Sequence, residues 1–599
     1  MATFTFETMT AADALAFAAA DTLTFSTGTA TGVTVVFVPA SGIDPDRVSI
    51  TSGGKTLVFN QPAIATASQL DQIGFSNGSA LIIGAAGNDS VTSSGGLTGD
   101  AVFGGTGNDS FSAANGNNLL QGNQGTDTLS AGAGNDTIYG GQDADTISTG
   151  NGSNFAQGNK GNDSITGGTG NDTLLGGQDV DSLNGGAGNN FLNGNLGNDT
   201  IVAGAGNDTI FGEDGNDTVT DAGGGANTVD GGVGNDSIVS GAADSLTSTL
   251  LGGDGNDTVT SSGLAVIYGN QGDDTLTGSG GSDSIFGGQD QDSITGGGGN
   301  DFVNGNLGDD SIATGVGNDT IFGEDGADTI AASDGANTID GGIGDDTISA
   351  GTGADVISGG NGSDNIEAGA GNNIVNGGEG DDRLITLGGD DTINGGDGAD
   401  TVDAGAGVNT VNGGVGADVI TSAGTLTATG GDGNDTITGS ANADTISGQA
   451  DNDSITAGAG ADSLSGGAGL DTITGGGDKD VIDGGAGADQ FNFGATDSST
   501  VAGSLDAIVN WESTDKIDFT TVGAAAIGSN YTELAIHADY ASALTDAGTE
   551  MANNGQEYVV VQIGSDTYIF VDTDAGGAVD EVVVLVGKTT ADISDTNII

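Results

Sequence analysis

The chain has no cysteine, three prolines, one histidine and only 7 basic residues among 599. Without cysteine there is neither a disulfide nor a thiolate metal site, so any covalent-like staple has to be ionic. A single histidine, His537, cannot build the His-Glu-x-x-His pair of a zinc protease. No Gly-x-Ser-x-Gly elbow lies between a strand and a helix, which leaves nucleophilic hydrolase chemistry without support. Aromatics reach only 4 %, too few for a conventional three-dimensional core over most of the length. No apolar run approaches the roughly 18 residues needed to span a bilayer. The opening MATFTFETMTAADALAF lacks a basic n-region, so no secretory signal peptide is expected. With 84 acidic residues against 7 basic, the formal charge is −77. That balance argues against nucleic acid and against anionic membranes as partners.

What is present is glycine, 119 residues of it, and a period. From Ile267 to Ile420 every ninth residue is a large aliphatic: Ile267, Leu276, Ile285, Ile294, Val303, Ile312 and onward through Val411. Two residues before each stands Asp or Asn, apart from Ala265, after a glycine-rich turn such as Gly315-Val-Gly-Asn-Asp319-Thr-Ile321. One apolar residue in nine fits neither an amphipathic helix nor a half-buried hairpin strand. It predicts a coil in which each unit is one tight turn and one short strand, stacked on its neighbours. The register also holds from Val102 to Val219 and from Ile437 to Phe491, and slips by three residues between Val219 and Ile267. Ile210-Phe-Gly-Glu-Asp-Gly215 recurs as Ile321-Phe-Gly-Glu-Asp-Gly326, which marks a segmental duplication.

The carboxylates recur with the repeat. The position two before the aliphatic is occupied by Asp89, Asp109, Asp127, Asp136, Asp145, Asp163, Asp172, Asp181, Asp199, Asp208, Asp217, Asp236, Asp257, Asp274, Asp283, Asp292 and Asp301. It continues with Asp310, Asp319, Asp328, Asp346, Asp355, Asp364, Asp382, Asp391, Asp400, Asp418, Asp435, Asp444, Asp453, Asp462, Asp471, Asp480 and Asp489. Seven further units carry Asn, with Asn118, Asn154 and Asn190 spaced by 36, as are Asn337, Asn373 and Asn409. If a coil turn uses two units, these asparagines share one side at every second level. They would bind cations more weakly, unless the beat is only drift within a duplicated block.

Glycines let the turn close, and the aspartates supply hard oxygen ligands to the concavity, the coordination Ca²⁺ prefers. If each of the 34 Asp turns held about one divalent ion, about +68 charges would nearly cancel the −77. Without cations, carboxylates would face one another at about 4.8 Å across a sheet. A largely unfolded metal-free chain and a metal-dependent fold are therefore expected.

The unit Gly-Gly-x-Gly-x-Asp-x-aliphatic-x resembles the RTX, or haemolysin-type calcium-binding, nonapeptide, over about two thirds of the chain. The resemblance implies an all-β protein built on a long right-handed parallel β-roll, with Ca²⁺ held by the Asp of each unit and by turn carbonyls. It further implies type I export through an uncleaved C-terminal signal, hence a secreted, extracellular location. Gly487-Ala-Asp489-Gln-Phe491-Asn-Phe493 and Asp506-Ala-Ile-Val-Asn-Trp511 look like the domain that closes such chains, and Asp595-Thr-Asn-Ile-Ile599 like their ending. Three regions are expected: a small N-terminal β domain over 1–80, the roll over 81–493, and a C-terminal β-rich secretion domain over 494–599. At about 4.8 Å per level the roll would be a rod about 110 Å long.

The leading expectation is a calcium-rigidified structural protein of the bacterial cell surface, similar to RTX-type surface-layer proteins and assembling with copies of itself. The alternatives are an adhesin or binder of cell-envelope polysaccharide with its site in 1–80, or a polysaccharide-modifying enzyme. No catalytic residue is assigned. His537 beside Asp539 reads as an ordinary surface or structural histidine, and Trp511 as a core anchor. Asp572-Thr-Asp574-Ala-Gly-Gly-Ala-Val-Asp580-Glu581 is either a separate calcium loop or a solvated hairpin turn.

Overall fold

The structure, a computed structural model, describes residues 3–17, 22–25, 32–38, 47–52, 55–60, 73–75, 79–84, 87–92, 99–221, 223–241, 247–494, 497–519, 531–554, 558–572, 577–594 and 596–598. They fall into two compact units, 1–298 and 299–599.

In the first unit, Phe6, Phe25 and Phe75 stack beneath the parallel strands Thr3–Thr5, Thr22–Phe25 and Ile73–Phe75. An antiparallel meander of Thr34–Val38, Arg47–Ser52 and Lys55–Asn60 stands beside them. This is the β region expected at the N-terminus, with one addition. A short helix, Ala11–Leu15, starts at a capping box between Thr10 and Asp13 and buries Ala14. Its core runs without a break into Leu81, Ile83 and Phe103 of the repeat.

From there the chain coils as a parallel β-solenoid with two ladders. Strands such as Leu119–Gln124, Thr137–Gln142 and Phe155–Lys160 pair in one, and Thr128–Ser130, Thr146–Asn151 and Ser164–Thr169 in the other. Register is 18 residues per level, as in Ile147↔Ile165, so a turn of the coil is two nonapeptides. The aliphatic of every unit points inward; Leu129, Ile138, Ile165 and Leu174 are all buried. Each contributes about 1.5–3 kcal/mol by burial, and only when neighbours stack on it. The slip between Val219 and Ile267 is absorbed as level steps of 19, 21 and 17 residues.

The second unit repeats this coil from Phe302–Leu307 onward. The ladders continue past residue 493: Val481–Gly487 pairs with Asp506–Val509, and Gln490–Phe493 with Lys516–Phe519. Strand Glu581–Leu585 lies parallel to Asp506–Val509 and carries the antiparallel strands Asp566–Val571 and Tyr558–Ile563. The β-rich character expected of the C-terminal region is thus present. A helix at Tyr540–Asn554 was not foreseen; it packs Ala543, Ala547 and Met551 against this sheet. Its stripe at i, i+4, i+8 is legible in retrospect, but two alanines make a faint signal beside strands of valine. Trp511 is buried against Phe491, in keeping with a core anchor. Among the described residues no helix is long and apolar enough to cross a membrane.

Candidate metal sites

The turns place the predicted aspartates in two rows, one on each side of the coil. The row that leads into Thr128–Ser130 and Thr146–Asn151 contains Asp109, Asp127, Asp145 and Asp163 at successive levels. The opposite row reads Asp100, Asn118, Asp136, Asn154, Asp172, Asn190. The four asparagines of the first unit, 118, 154, 190 and 227, lie in this second row, and 118, 154 and 190 alternate with aspartates level by level, as the 36-residue beat anticipates. The second unit repeats the contrast: Asp346, Asp364, Asp382 and Asp400 on one side, Asn337, Asp355, Asn373 and Asp391 on the other.

Every predicted aspartate except Asp89 is at most 3 % exposed, and Asp89 is half-buried. The backbone N–H of one aspartate donates to Oδ1 of the aspartate one level later, at 2.8 Å from Asp127 to Asp145 and 2.7 Å from Asp145 to Asp163. The second oxygen, Oδ2, is buried and accepts no hydrogen bond at Asp127, Asp145, Asp181, Asp364, Asp453 and most of the others. In the all-aspartate row it lies over a glycine five residues earlier. A Cβ on Gly122 would stand 2.0 Å from Asp127 Oδ2, and one on Gly140 2.3 Å from Asp145 Oδ2. The opposite row has Ala131 and Ala203 at the matching places before Asp136 and Asp208.

A buried carboxylate oxygen with no donor is costly unless a charge of opposite sign answers it. Burial pushes Asp145 and Asp181 up to about 8, and Asp109, Asp274 and Asp346 up to about 7. The donated N–H works against this, and like charges on adjacent levels add to it. Desolvation thus outweighs the carboxylate repulsion that the sequence alone brings to mind.

The asparagines show what the vacant donor position wants. Asn118 also takes its N–H partner on Oδ1, and its Nδ2 then donates to the carbonyls of Ala114 and Gly116 at 3.1 and 2.9 Å. Asn154 and Asn190 likewise reach the carbonyls of Gly152 and Gly188, and Asn409 that of Ala404 at 2.7 Å. The turn therefore offers inward carbonyl oxygens, met by an N–H donor at Asn levels and by a bare carboxylate oxygen at Asp levels. Oxygens of both kinds converging without a proton donor suit a hard divalent cation, which takes six to eight such ligands. Among the described residues no three acidic or histidine side chains group closely enough to hold a metal by themselves, so main-chain oxygens have to complete the shell.

Asp283 and Asp444 differ from the rest, because the N–H groups of Ser279 and Ser440 donate to their Oδ2 at 2.7 Å. Sequence reasoning passed over Asp100, Asp506 and Asp515. Asp100 donates to Asn118 Oδ1, while Asp506 and Asp515 accept from Asp480 and Asp489. Each precedes an aliphatic by two, as in Asp100-Ala-Val102 and Asp506-Ala-Ile508; Asp100 stands nine before Asp109 and was legible in the register, whereas Asp506 and Asp515 follow Asp480 and Asp489 by 26 residues, a spacing that hid them. His537 does not meet Asp539; its Nε2 lies 3.6 Å from Asp546, on the helix. In the 572–581 loop, 573–576 lie outside the described residues, as do Asp595 and Ile599 of the terminal segment. Asp572 Oδ2 accepts from Gly577 N–H at 2.7 Å.

The RTX calcium-binding nonapeptide repeat family (4 copies) matches overlapping segments that together span 94–219, 221–245, 248–263, 268–420 and 429–491, well over half of the chain. The chain belongs to this RTX family. The gaps in the match coincide with the irregular levels. Calcium binding is the family's described property, and the repeats of this RTX chain carry it. Solved structures similar to the chain include the AlgE6R2 and AlgE6R3 subunits of the Azotobacter vinelandii mannuronan C5-epimerase. Each is 26 % identical; the first covers 27 % of this chain and 90 % of its own with a TM-score of 0.19, the second 28 % and 77 % with 0.17. No curated protein matches the chain.

Proposed function

We propose that this RTX chain is an exported, non-catalytic structural protein of the bacterial cell surface, rigidified by Ca²⁺ and assembling with copies of itself into a surface layer. The 34 aspartates enumerated above supply the side-chain ligands, Asp283 and Asp444 the weakest of them, and turn carbonyls supply the rest. One observation carries the reading: donor-less, buried carboxylate oxygens recur level after level through most of the molecule. Metal-ligand chemistry therefore builds the body of the protein instead of decorating a separate site. Residues 1–80 serve as anchor or assembly contact, and 494–599 as the secretion domain.

The test is electron microscopy of purified protein with and without about millimolar Ca²⁺, a range in which extracellular calcium modules bind, alongside circular dichroism. Calcium-driven β structure followed by sheets or filaments is the expected result. Folded particles that stay single would remove the self-assembly claim. A second reading, a polysaccharide-binding adhesin, is favoured by a groove of about 520 Å³ between Gly32–Val35 and the ladder residues Phe103, Gln121 and Tyr139. That volume is in the range of ligand pockets. Glycan-array binding that Tyr139→Ala abolishes would put this reading ahead.

A further inference from the structure

Two patches on the outer face of the ladder that holds Leu119–Gln124 and Thr137–Gln142 share one chemistry, and each unit has one. In the first unit the rings of Phe191 and Phe211, on adjacent levels, lie 5.6 Å apart at 45°. Asn193 pairs in register with Phe211, and Phe211 with Asp230. The Asn193 amide Nδ2 donates to Glu213 Oε1 at 3.1 Å, while its Oδ1 is buried with no donor. In the second unit Phe302 and Phe322 lie 5.8 Å apart at 48°, and Phe322 pairs with Asp340. Asn304 Nδ2 donates to Glu324 Oε1 at 3.3 Å, and its Oδ1 is again without a donor. Both glutamates are exposed. Burial first, and then the charge of Glu213, raise Asp230 above its ordinary value.

Segments 191–215 and 302–326 belong to the duplication and differ at six positions, 192, 198, 200, 202, 203 and 205 of the first copy. None of the six is a member of the patch. Drift has altered the core, the turns and the other ladder, and has left the rings, amides and carboxylates as they were. The amide N–H of each patch is spent on its glutamate, so a carbonyl, two carboxylates and the ring faces remain. Among the described residues no three acids group closely enough to hold a metal. No lysine or arginine among them pairs with Glu213, Asp230, Glu324 or Asp340. Ring faces beside acceptors suit a planar cation with several N–H groups, which stacks on the ring and forks to the carboxylate.

The chain carries such a cation itself. Arg383 opens the strand Arg383–Gly388 of the other ladder and is exposed on its outer face. Its Nη1 donates to Asn365 Oδ1 at 3.0 Å. Glu367 and Asp403 stand on the neighbouring levels of that face, yet neither pairs with it. In a chain with 84 acidic residues against 7 basic, an arginine without a carboxylate complements a carboxylate platform without a cation. Arg383 and Glu324 belong to opposite ladders of one unit, so a copy cannot answer its own platform. We infer that Arg383 of one copy docks on the Phe322–Glu324 platform of a second copy, or on its duplicate at Phe211–Glu213. The guanidinium lies on the ring and donates to the glutamate, which Asn304 or Asn193, as a positioning residue, holds beside it. A contact between two different faces leaves both open on the next copy, so it propagates instead of closing as a dimer. The inference rests on the self-assembly reading and names the groups that carry it.

The test is sedimentation velocity of the full chain in about millimolar Ca²⁺, with circular dichroism to establish that each variant folds. The wild type should assemble, and Arg383→Glu should raise the protein concentration that assembly needs by about tenfold. Glu213→Arg together with Glu324→Arg should do the same. All three changes in one chain should bring that concentration back toward the wild-type value, because opposite charges meet again. Arg383→Glu that assembles like the wild type overturns the contact, even if the glutamate variant fails, since the platform would then take some other cation. A combined variant no better than its parents overturns it too. If a charge reversal disturbs the fold, Arg383→Gln and the pair Glu213→Gln with Glu324→Gln take its place, and assembly unchanged in both would overturn the contact. A wild type that calcium folds but leaves single overturns the self-assembly reading, and this contact with it.

Discussion

The two sides of the coil solve one problem differently. On one side, Asp109, Asp127, Asp145 and their successors stack without interruption, each over a glycine. On the other, aspartates alternate with asparagines, and Ser248, Ala265 and Leu426 replace the acid altogether. An asparagine amide carries its own donor to the turn carbonyls, whereas an aspartate leaves an oxygen waiting. One side therefore depends on an external cation at every level, and the other only at every second level where asparagines alternate, over 118–208 and 337–409, though not where Asp444, Asp462 and Asp480 succeed one another. Dependence on metal is a property of each turn, decided by a single atom, nitrogen or oxygen.

The largest test of this contrast is removal of metal. With calcium chelated at pH 7.5, far-UV circular dichroism should lose most of its β signal, and about millimolar Ca²⁺ should restore it. Signal that survives chelation undisturbed would mean that the donor-less oxygens are tolerated as they stand.

Next in size is pH. Burial raises Asp145 and Asp181 to about 8 and Asp127 and Asp172 to about 6, against about 3.9 in an unfolded chain. A carboxyl raised in the folded state contributes stability that is full below its unfolded value and lost as pH climbs through its folded value. The metal-free chain should therefore gain β structure on acidification from pH 8 to 5. Calcium affinity should run the other way and rise with pH, since the ligand is the carboxylate. A metal-free β signal independent of pH would refute the assignment.

Exchanging residues between the rows gives a smaller and sharper test. Asp145→Asn should stabilise the chelated protein by about 1–3 kcal/mol, the cost of a buried unanswered oxygen, and remove one bound calcium. Asn154→Asp should do the reverse on both counts. Denaturant melts in chelator and in calcium, with ions counted by equilibrium dialysis, read both effects. Changes of equal sign in the two variants would show that the rows do not differ in the way described.

Smallest is the glycine contrast. Gly140→Ala pushes a methyl to 2.3 Å from Asp145 Oδ2 and 2.8 Å from Gly158 O, and should cost about 1–3 kcal/mol. Ala131→Gly on the opposite side should cost only about 0.5–1 kcal/mol, through backbone entropy. Thermal melts in calcium would expose any reversal.

Much of this was legible because the repeat is nearly one-dimensional. Ile147 meeting Ile165, and Asp145 giving its N–H to Asp163, follow from a period of nine and two units per turn. The gathering of asparagines on one side follows from the same arithmetic. The identity of the dominant cost did not: a list of aspartates suggests repulsion, and only packing reveals that water has been excluded from them. Asp506 and Asp515 were hidden for a related reason. They enter the rows through loops whose length no period predicts, so only the folded register brings Asp480 to Asp506, 26 residues on. The helix Tyr540–Asn554 lies where the sequence has no repeat to read.

The N–H ladder along the aspartate rows has a sense. Asp127 donates to Asp145, Asp145 to Asp163, always toward the later level. Each carboxylate is thus aimed by the turn that precedes it, and each amide is answered by the turn that follows. Ordering of one level prepares the ligand of the next, so cation capture should spread along the chain as a front with a direction. The two ends are not equivalent under trimming. Cutting away later levels leaves the last amide without its carboxylate, while cutting away earlier ones leaves the first carboxylate without its amide donor.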